Sequence, residues 1–176
     1  RFIPPLLQVA FFASLIYNRN TKRCAALRKK GGIMLPRERF FRTIQNQKTD
    51  KIPNFNIIMG FSAAYSGRTY REYASDYKVL CECDLRCAED FRLDILSAIS
   101  DPMREAESFG AEVLLPEDGV PYSPVPLLTD LSQVKALHAA APENSPRTLD
   151  RLKAVEYFKK TASRYVIGGW VEGAFA

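Results

Sequence analysis

The 176-residue chain is 47% hydrophobic and 26% charged, with 9 Gly, 11 Pro, 4 Cys and a single His, the composition of one ordinary globular domain; this excludes a fibre and a disordered chain. Four cysteines at this length, without a clean secretory signal, read as reduced cytosolic thiols and not as a disulfide scaffold. The net charge of +5 does not belong to the body: seven of the 25 basic residues stand in residues 1–33, which carry no Asp or Glu, leaving 18 basic against 20 acidic residues in 34–176, so no phosphate-tracking groove and no nucleic-acid partner is expected there.

Residues 1–33 admit three readings. Phe2 to Tyr17 is mostly apolar and is followed by Lys22, Arg23, Arg28, Lys29 and Lys30, which suits an anchor or a surface amphipathic helix. A secretory signal is opposed by charges that follow the apolar run, by Pro4-Pro5 within it and by the lack of a small-residue cleavage pattern. No run reaches the roughly 18 apolar residues of a bilayer span. The third reading is adopted. Lys29-Lys30-Gly31-Gly32-Ile33 directly before Met34 can be written by an A-rich stretch containing a GGAGG ribosome-binding site, so residues 1–33 are expected to be a read-through of upstream DNA and translation to start at Met34, giving a cytoplasmic protein without membrane contact. A Gly31-Gly32 codon pair other than GGA-GGN would rule this out.

From Met34 onward, Pro36 opens a short amphipathic helix through Phe40, Phe41 and Ile44 to about Asn46. Asp50-Lys51-Ile52-Pro53 turns the chain into an apolar run, Phe55 to Met59, that reads as a buried strand ended by Gly60, with an irregular stretch from Phe61 to Thr69. Asp76 caps a helix to Phe91, with Val79, Leu80, Cys83 and Cys87 near one face. Leu93 to Ile99 is the second strand, running into Ser100-Asp101-Pro102, and Met103 to Phe109 is a short helix stopped by Gly110. Ala111 to Leu115 is extended, and a Pro-rich connection follows. Asp130 caps a helix to about Leu137, Pro146 opens a longer one to about Ala162, and Tyr165 to Val171 is the third strand. Alternating strands and helices predict an α/β fold with a parallel sheet and right-handed crossovers. About three strands read as the first, N-terminal part of something larger, since a complete (β/α)8 TIM barrel takes about 250 residues.

The order of motifs resembles the uroporphyrinogen decarboxylase family. Pro36-Arg37-Glu38-Arg39-Phe40 followed by Asp50-Lys51-Ile52-Pro53 looks like that family's opening helix and turn, Ser100-Asp101 like its active-site pair, and Gly173-Ala174-Phe175-Ala176 like a degraded Gly-Pro-Phe-Thr segment. The decarboxylase proper carries an Arg-Gln-Ala-Gly-Arg loop whose arginines grip substrate carboxylates. Here the stretch is Ala64-Tyr65-Ser66-Gly67-Arg68, which keeps only the second arginine, and a substrate with eight carboxylates needs several such partners. Asp101-Pro-Met-Arg-Glu105-Ala-Glu107-Ser-Phe-Gly110, then Pro116-Glu-Asp-Gly-Val-Pro121, and Gly67-Arg-Thr-Tyr-Arg-Glu-Tyr73 resemble instead the corrinoid-dependent methyltransferase branch. That resemblance implies transfer of a methyl group from methylcobalamin on a corrinoid partner protein to a thiol such as coenzyme M. It also implies a Zn²⁺ ion whose His and Cys ligands belong to the second half of the barrel. The alternatives are the decarboxylase of porphyrin biosynthesis and a noncatalytic module that docks a corrinoid protein.

Asp101 is the candidate catalytic residue, because the C-terminal ends of barrel strands carry the active site; an Asp before Pro102 also serves as a helix N-cap. Arg68, Tyr65 and Glu105 are the substrate-binding candidates. Glu107 matches the branch motif, and Tyr70 and Tyr73 are candidates for a ligand mouth or for packing. Cys81, Cys83 and Cys87 read as core or surface thiols, since two thiolates on one helix face without His make a poor zinc site, and His138 reads as structural or exposed. No metal ligand is assigned, and three strands alone would leave an open sheet edge and an inactive fragment.

Overall fold

The computed structural model describes residues 34–138 and 141–172. The leader 1–33 and the Gly173-Ala174-Phe175-Ala176 motif lie outside the described residues. The chain divides into compact units between Leu35 and Pro36, and every element below belongs to the second.

Helix α1 (Pro36–Ile44) buries Arg39 instead of its aromatic residues, and Arg42 pairs with Glu38 one turn back at 2.8 Å. The buried guanidinium holds the turn that follows. Its Nε and Nη2 donate to the two carboxylate oxygens of Asp50 at 2.6 and 2.8 Å, and Nη1 donates to the fully buried Asp94. Asp94 also accepts from the Asn54 amide at 2.7 Å, and its own N–H returns a bond to the Asn54 carbonyl at 2.9 Å.

Phe55 to Met59 is not a strand. Phe55 to Ile57 join no sheet, with Phe55 and Ile57 each 47% exposed, and α2 (Met59–Tyr65) starts where the strand was expected to end, with Gly60 inside it. A run of five apolar residues does not distinguish strand from helix start. Here Ser62 and Ala63, small and fully buried, let α2 lie close against its neighbours, and Ala63-Ala64 favour the helix. Helix α3 (Tyr70–Ser75), also unassigned by the sequence reading, is set by a reciprocal capping box: the Glu72 amide donates to Thr69 Oγ1 at 3.2 Å, and the Thr69 amide to Glu72 Oε2 at 2.9 Å.

Helix α4 (Tyr77–Asp90) begins as expected, with Asp76 accepting from the Lys78 amide at 2.8 Å. It buries Leu80, Cys81, Cys83, Asp84, Cys87 and Ala88, a stripe wider than one face. The reason is that α4 is covered on two sides, by α2 and α3 and by α6 (Pro146–Thr161). Its last turn feeds β1 (Ile95–Ser97), which pairs in parallel with β2 (Val166–Gly168) in the register Ile95 to Val166, Leu96 to Ile167 and Ser97 to Gly168. Backbone bonds from the Val166 amide to the Asp94 carbonyl and from the Ala98 amide to the Gly168 carbonyl close the two ends of this ladder. Among the described residues these two strands form the sheet, one fewer than expected.

Between them, α5 (Arg104–Ser108) stops at Gly110, whose φ of +103° suits glycine alone. Leu114 and Tyr122 meet in an antiparallel bridge. The segment capped by Asp130 is a 3-10 helix, Leu131–Ala136, not an α-helix, with the Asp130/Gln133 capping box formed. It buries no residue, so no packed face rewards a longer helix. The core lies where α4, α6 and β1 meet, around Tyr73, Leu80, Leu96 and Phe158. No helix of the described residues is long and apolar enough to cross a membrane.

Candidate functional site at the C-terminal ends of the strands

Asp101 stands past the C-terminal end of β1, after Ala98, Ile99 and Ser100, and is fully buried. Its position is fixed from three sides: Ser100 Oγ donates to Oδ2 at 2.6 Å, the Met103 amide donates to Oδ1 at 3.0 Å, and Arg147 Nη2 from the first turn of α6 donates to Oδ2. The Met103 bond closes a turn across Pro102 and is not the N-cap expected of Asp101, because the N-cap of α5 is Met103, which has no side-chain cap bond. Arg147 also donates from Nη1 to Glu107 at 3.0 Å. The hydroxyl of Tyr70 donates to the Ser100 carbonyl, and burial together with the Asp101 charge pushes the Tyr70 pKa up to about 12, so it stays protonated.

Two further arginines stand here. Arg104 and Arg151, 2% and 5% exposed, come from α5 and from the turn of α6 after Arg147. Arg104 Nη2 reaches the Trp170 carbonyl, just past β2, at 3.4 Å, and Arg151 pairs with Asp150, which also accepts from the Tyr77 amide at 3.0 Å. Burial pulls the Arg104 pKa down. Behind them, Asp84 of α4 accepts from Ser62 Oγ at 2.7 Å and Tyr73 OH at 3.1 Å, and burial raises its pKa to about 7.

Of the expected site residues, Asp101 and Glu105 both lie near Arg104. Glu105 is partly buried, with Oε1 3.9 Å from Arg104 and Oε2 unbonded. Tyr65 does not join them: its hydroxyl binds Asp90 at 3.0 Å and its ring packs on Phe91 at 4.9 Å, on the side where α4 leads into the N-terminal end of β1. Arg68 is exposed and paired with Glu72 at 3.3 Å. Tyr70 and Tyr73 are buried and stack on each other at 5.8 Å. The sequence reading missed Arg147 and Arg151 as site residues; their spacing of one helical turn was the available signal, but nothing local tied it to Asp101. The Pro116–Pro121 loop is held to α3, where the Arg71 amide donates to the Glu117 carbonyl and Arg71 Nε to the Leu115 carbonyl, both at 2.9 Å.

The three described thiols offer no metal site. Cys81, Cys83 and Cys87 are buried in the core, burial raises all three pKa values, and His138 is exposed. Among the described residues no three His, Cys, Asp or Glu side chains cluster as metal ligands, so the residues present do not fit a zinc ion.

A parallel β-α-β unit, with a fixed carboxylate past its strand ends and cations from both following helices, is the N-terminal part of a (β/α)8 barrel. A family model described as Uroporphyrinogen decarboxylase (URO-D) matches residues 35–176, and the chain belongs to the uroporphyrinogen decarboxylase family. Among solved structures, a methyltransferase from Methanosarcina mazei shares this fold with a TM-score of 0.63 at 18% sequence identity, over 80% of this chain and 43% of that one. The chain thus spans less than half of that structure's length. A comparison with curated proteins gives no match.

Proposed function

We propose that the chain is the N-terminal part of an enzyme that moves a methyl group from methylcobalamin on a corrinoid protein to a thiol such as coenzyme M, with Asp101 orienting a polar substrate at the C-terminal rim. The observation that carries this reading is the state of Arg68. It is the one arginine kept of the carboxylate-gripping loop, yet it is exposed and neutralised by Glu72. A decarboxylase acting on a substrate with many carboxylates needs cations from that loop beside Asp101. Support also comes from the Asp101–Gly110 and Pro116–Pro121 motifs and from the fold shared with a methyltransferase.

In this reading Asp101 is an acceptor whose direction is preset by Ser100, the Met103 amide and Arg147, so it loses little freedom when substrate arrives. Tyr70 stays a neutral donor that holds the Ser100 carbonyl. Zinc would activate the acceptor thiol, and its ligands are expected outside these residues. The test is a single-turnover assay of the full-length protein with methylcobalamin, a thiol and zinc. Demethylation of the corrinoid with formation of the thioether is the expected result. Absence of both, with release of carbon dioxide from uroporphyrinogen instead, would overturn it in favour of the decarboxylase.

A further inference from the structure

At the rim beside Asp101, three guanidinium groups are buried with donors that the protein does not use. Nε of Arg104, Arg147 and Arg151, and Nη1 of Arg151, are out of solvent and without an acceptor. Every N–H of an arginine is a donor, and a buried donor without a partner is disfavoured unless something else supplies the acceptor. The chain is able to satisfy a buried arginine when the role is structural: Arg39 is 3% exposed, and its Nε, Nη1 and Nη2 all meet carboxylate oxygens.

We propose that Arg104, Arg147 and Arg151 form a binding site for the oxyanion of a small-molecule substrate (a carboxylate, sulfonate or phosphate), which takes the donors left unused beside Asp101. The inference rests on the reading of this rim as the substrate site. The nearby carboxylates do not already fill the role. Asp101 is occupied by Ser100, the Met103 amide and Arg147, and Asp150 by Arg151 and the Tyr77 amide. Glu107 binds only Nη1 of Arg147. Glu105 stands 3.9 Å from Arg104, outside hydrogen-bond distance, and its own Oε2 is buried without a donor. Arg104 therefore has no carboxylate in hydrogen-bond contact. Arg147 binds Asp101 past β1, Arg104 reaches the backbone beyond β2, and Arg151 is one turn from Arg147 on α6 and felt electrostatically by Arg104. Access is from the side of Arg147 and Glu107, whose side chains are 11% and 33% exposed. A guanidinium fork matches a two-oxygen face, which carboxylate, sulfonate and phosphate share.

The experiment is thermal denaturation of the full-length protein with sodium acetate, methanesulfonate or phosphate replacing sodium chloride at constant ionic strength. The expected result is a saturable rise in Tm with at least one of these anions, the most effective naming the class. Arg104→Met and Arg151→Met should abolish it, and Arg86→Met, which removes an exposed cation, should keep it. Arg104→Lys keeps the charge and loses the fork, so it should bind the same anion at least tenfold more weakly and serves if the Met variants do not fold. No response beyond chloride in the unaltered protein, or an unchanged response in Arg104→Lys, overturns the proposal. The readout contains no methylcobalamin, so a failure here is distinct from a failure of methyl transfer.

Discussion

Two buried arginine–carboxylate clusters sit at opposite ends of the same short sheet, and they are built differently. At the N-terminal ends of the strands, Arg39 meets Asp50 and Asp94 through three donor nitrogens, and Asp94 is tied to the Asn54 backbone as well. At the C-terminal ends, three arginines share Asp101, Glu105, Glu107 and Asp150 and still leave donors without acceptors. Desolvating a guanidinium is costly, and only well-aligned partners offset it. The first cluster offsets that cost internally, as a fold-holding clamp does. The second leaves it uncompensated, and in a barrel this is the rim where substrates are handled.

The contrast is sharpest under mutation. Arg39→Met should cost about 3–5 kcal/mol in unfolding free energy, because Asp94 is left buried without its cation, while sparing substrate binding in whatever fraction folds. Urea denaturation checks the first part; a loss below about 1 kcal/mol would break the clamp reading. Asp84 gives a pH-dependent effect behind the rim. Its folded pKa of about 7 lies above the ordinary value of 3.8, so the folded protein holds a proton that the unfolded chain has released. Stability should therefore be greatest below that ordinary value and fall as pH rises toward 7, by up to about 1.4 kcal/mol per pH unit. Asp84→Asn keeps an acceptor for Ser62 and Tyr73 and should flatten this slope in melts between those pH values. Equal slopes in the two proteins would remove Asp84 as the cause.

Asp101→Asn should lower turnover of the full-length enzyme about 100-fold, yet shift the denaturation midpoint less than Arg39→Met does, since Arg147 keeps Glu107. The reverse order of effects would make Asp101 the structural residue. The smallest change is expected from Arg68→Ala. Its exposed pair with Glu72 is worth about 0.3–0.5 kcal/mol, and turnover should stay within about twofold. A collapse of turnover would restore Arg68 as a substrate ligand and favour the decarboxylase.

Much of this was legible in the chain. Pro36, Asp76, Asp130 and Pro146 mark element starts and Gly110 a stop, because caps, prolines and positive-φ glycines act over a few residues. The same local rule failed for Phe55–Met59, whose apolar run reads equally as strand or helix start until its neighbours are known. For Cys81, read as a core or surface thiol, the choice falls to the core because α6 covers the second side of α4.

The sequence by itself determined the starts of α1, α4 and α6, the stop of α5, the nearly balanced charge of the body and the family-like motifs, most of them properties of short stretches. Only the tertiary structure decided which expected site residues meet. Folding leaves Tyr65 beside Asp90, holds Arg68 against Glu72, and brings Arg147 and Arg151 to Asp101. Whether a buried guanidinium is satisfied depends on acceptors dozens of residues away, and no periodicity in the chain encodes that distance.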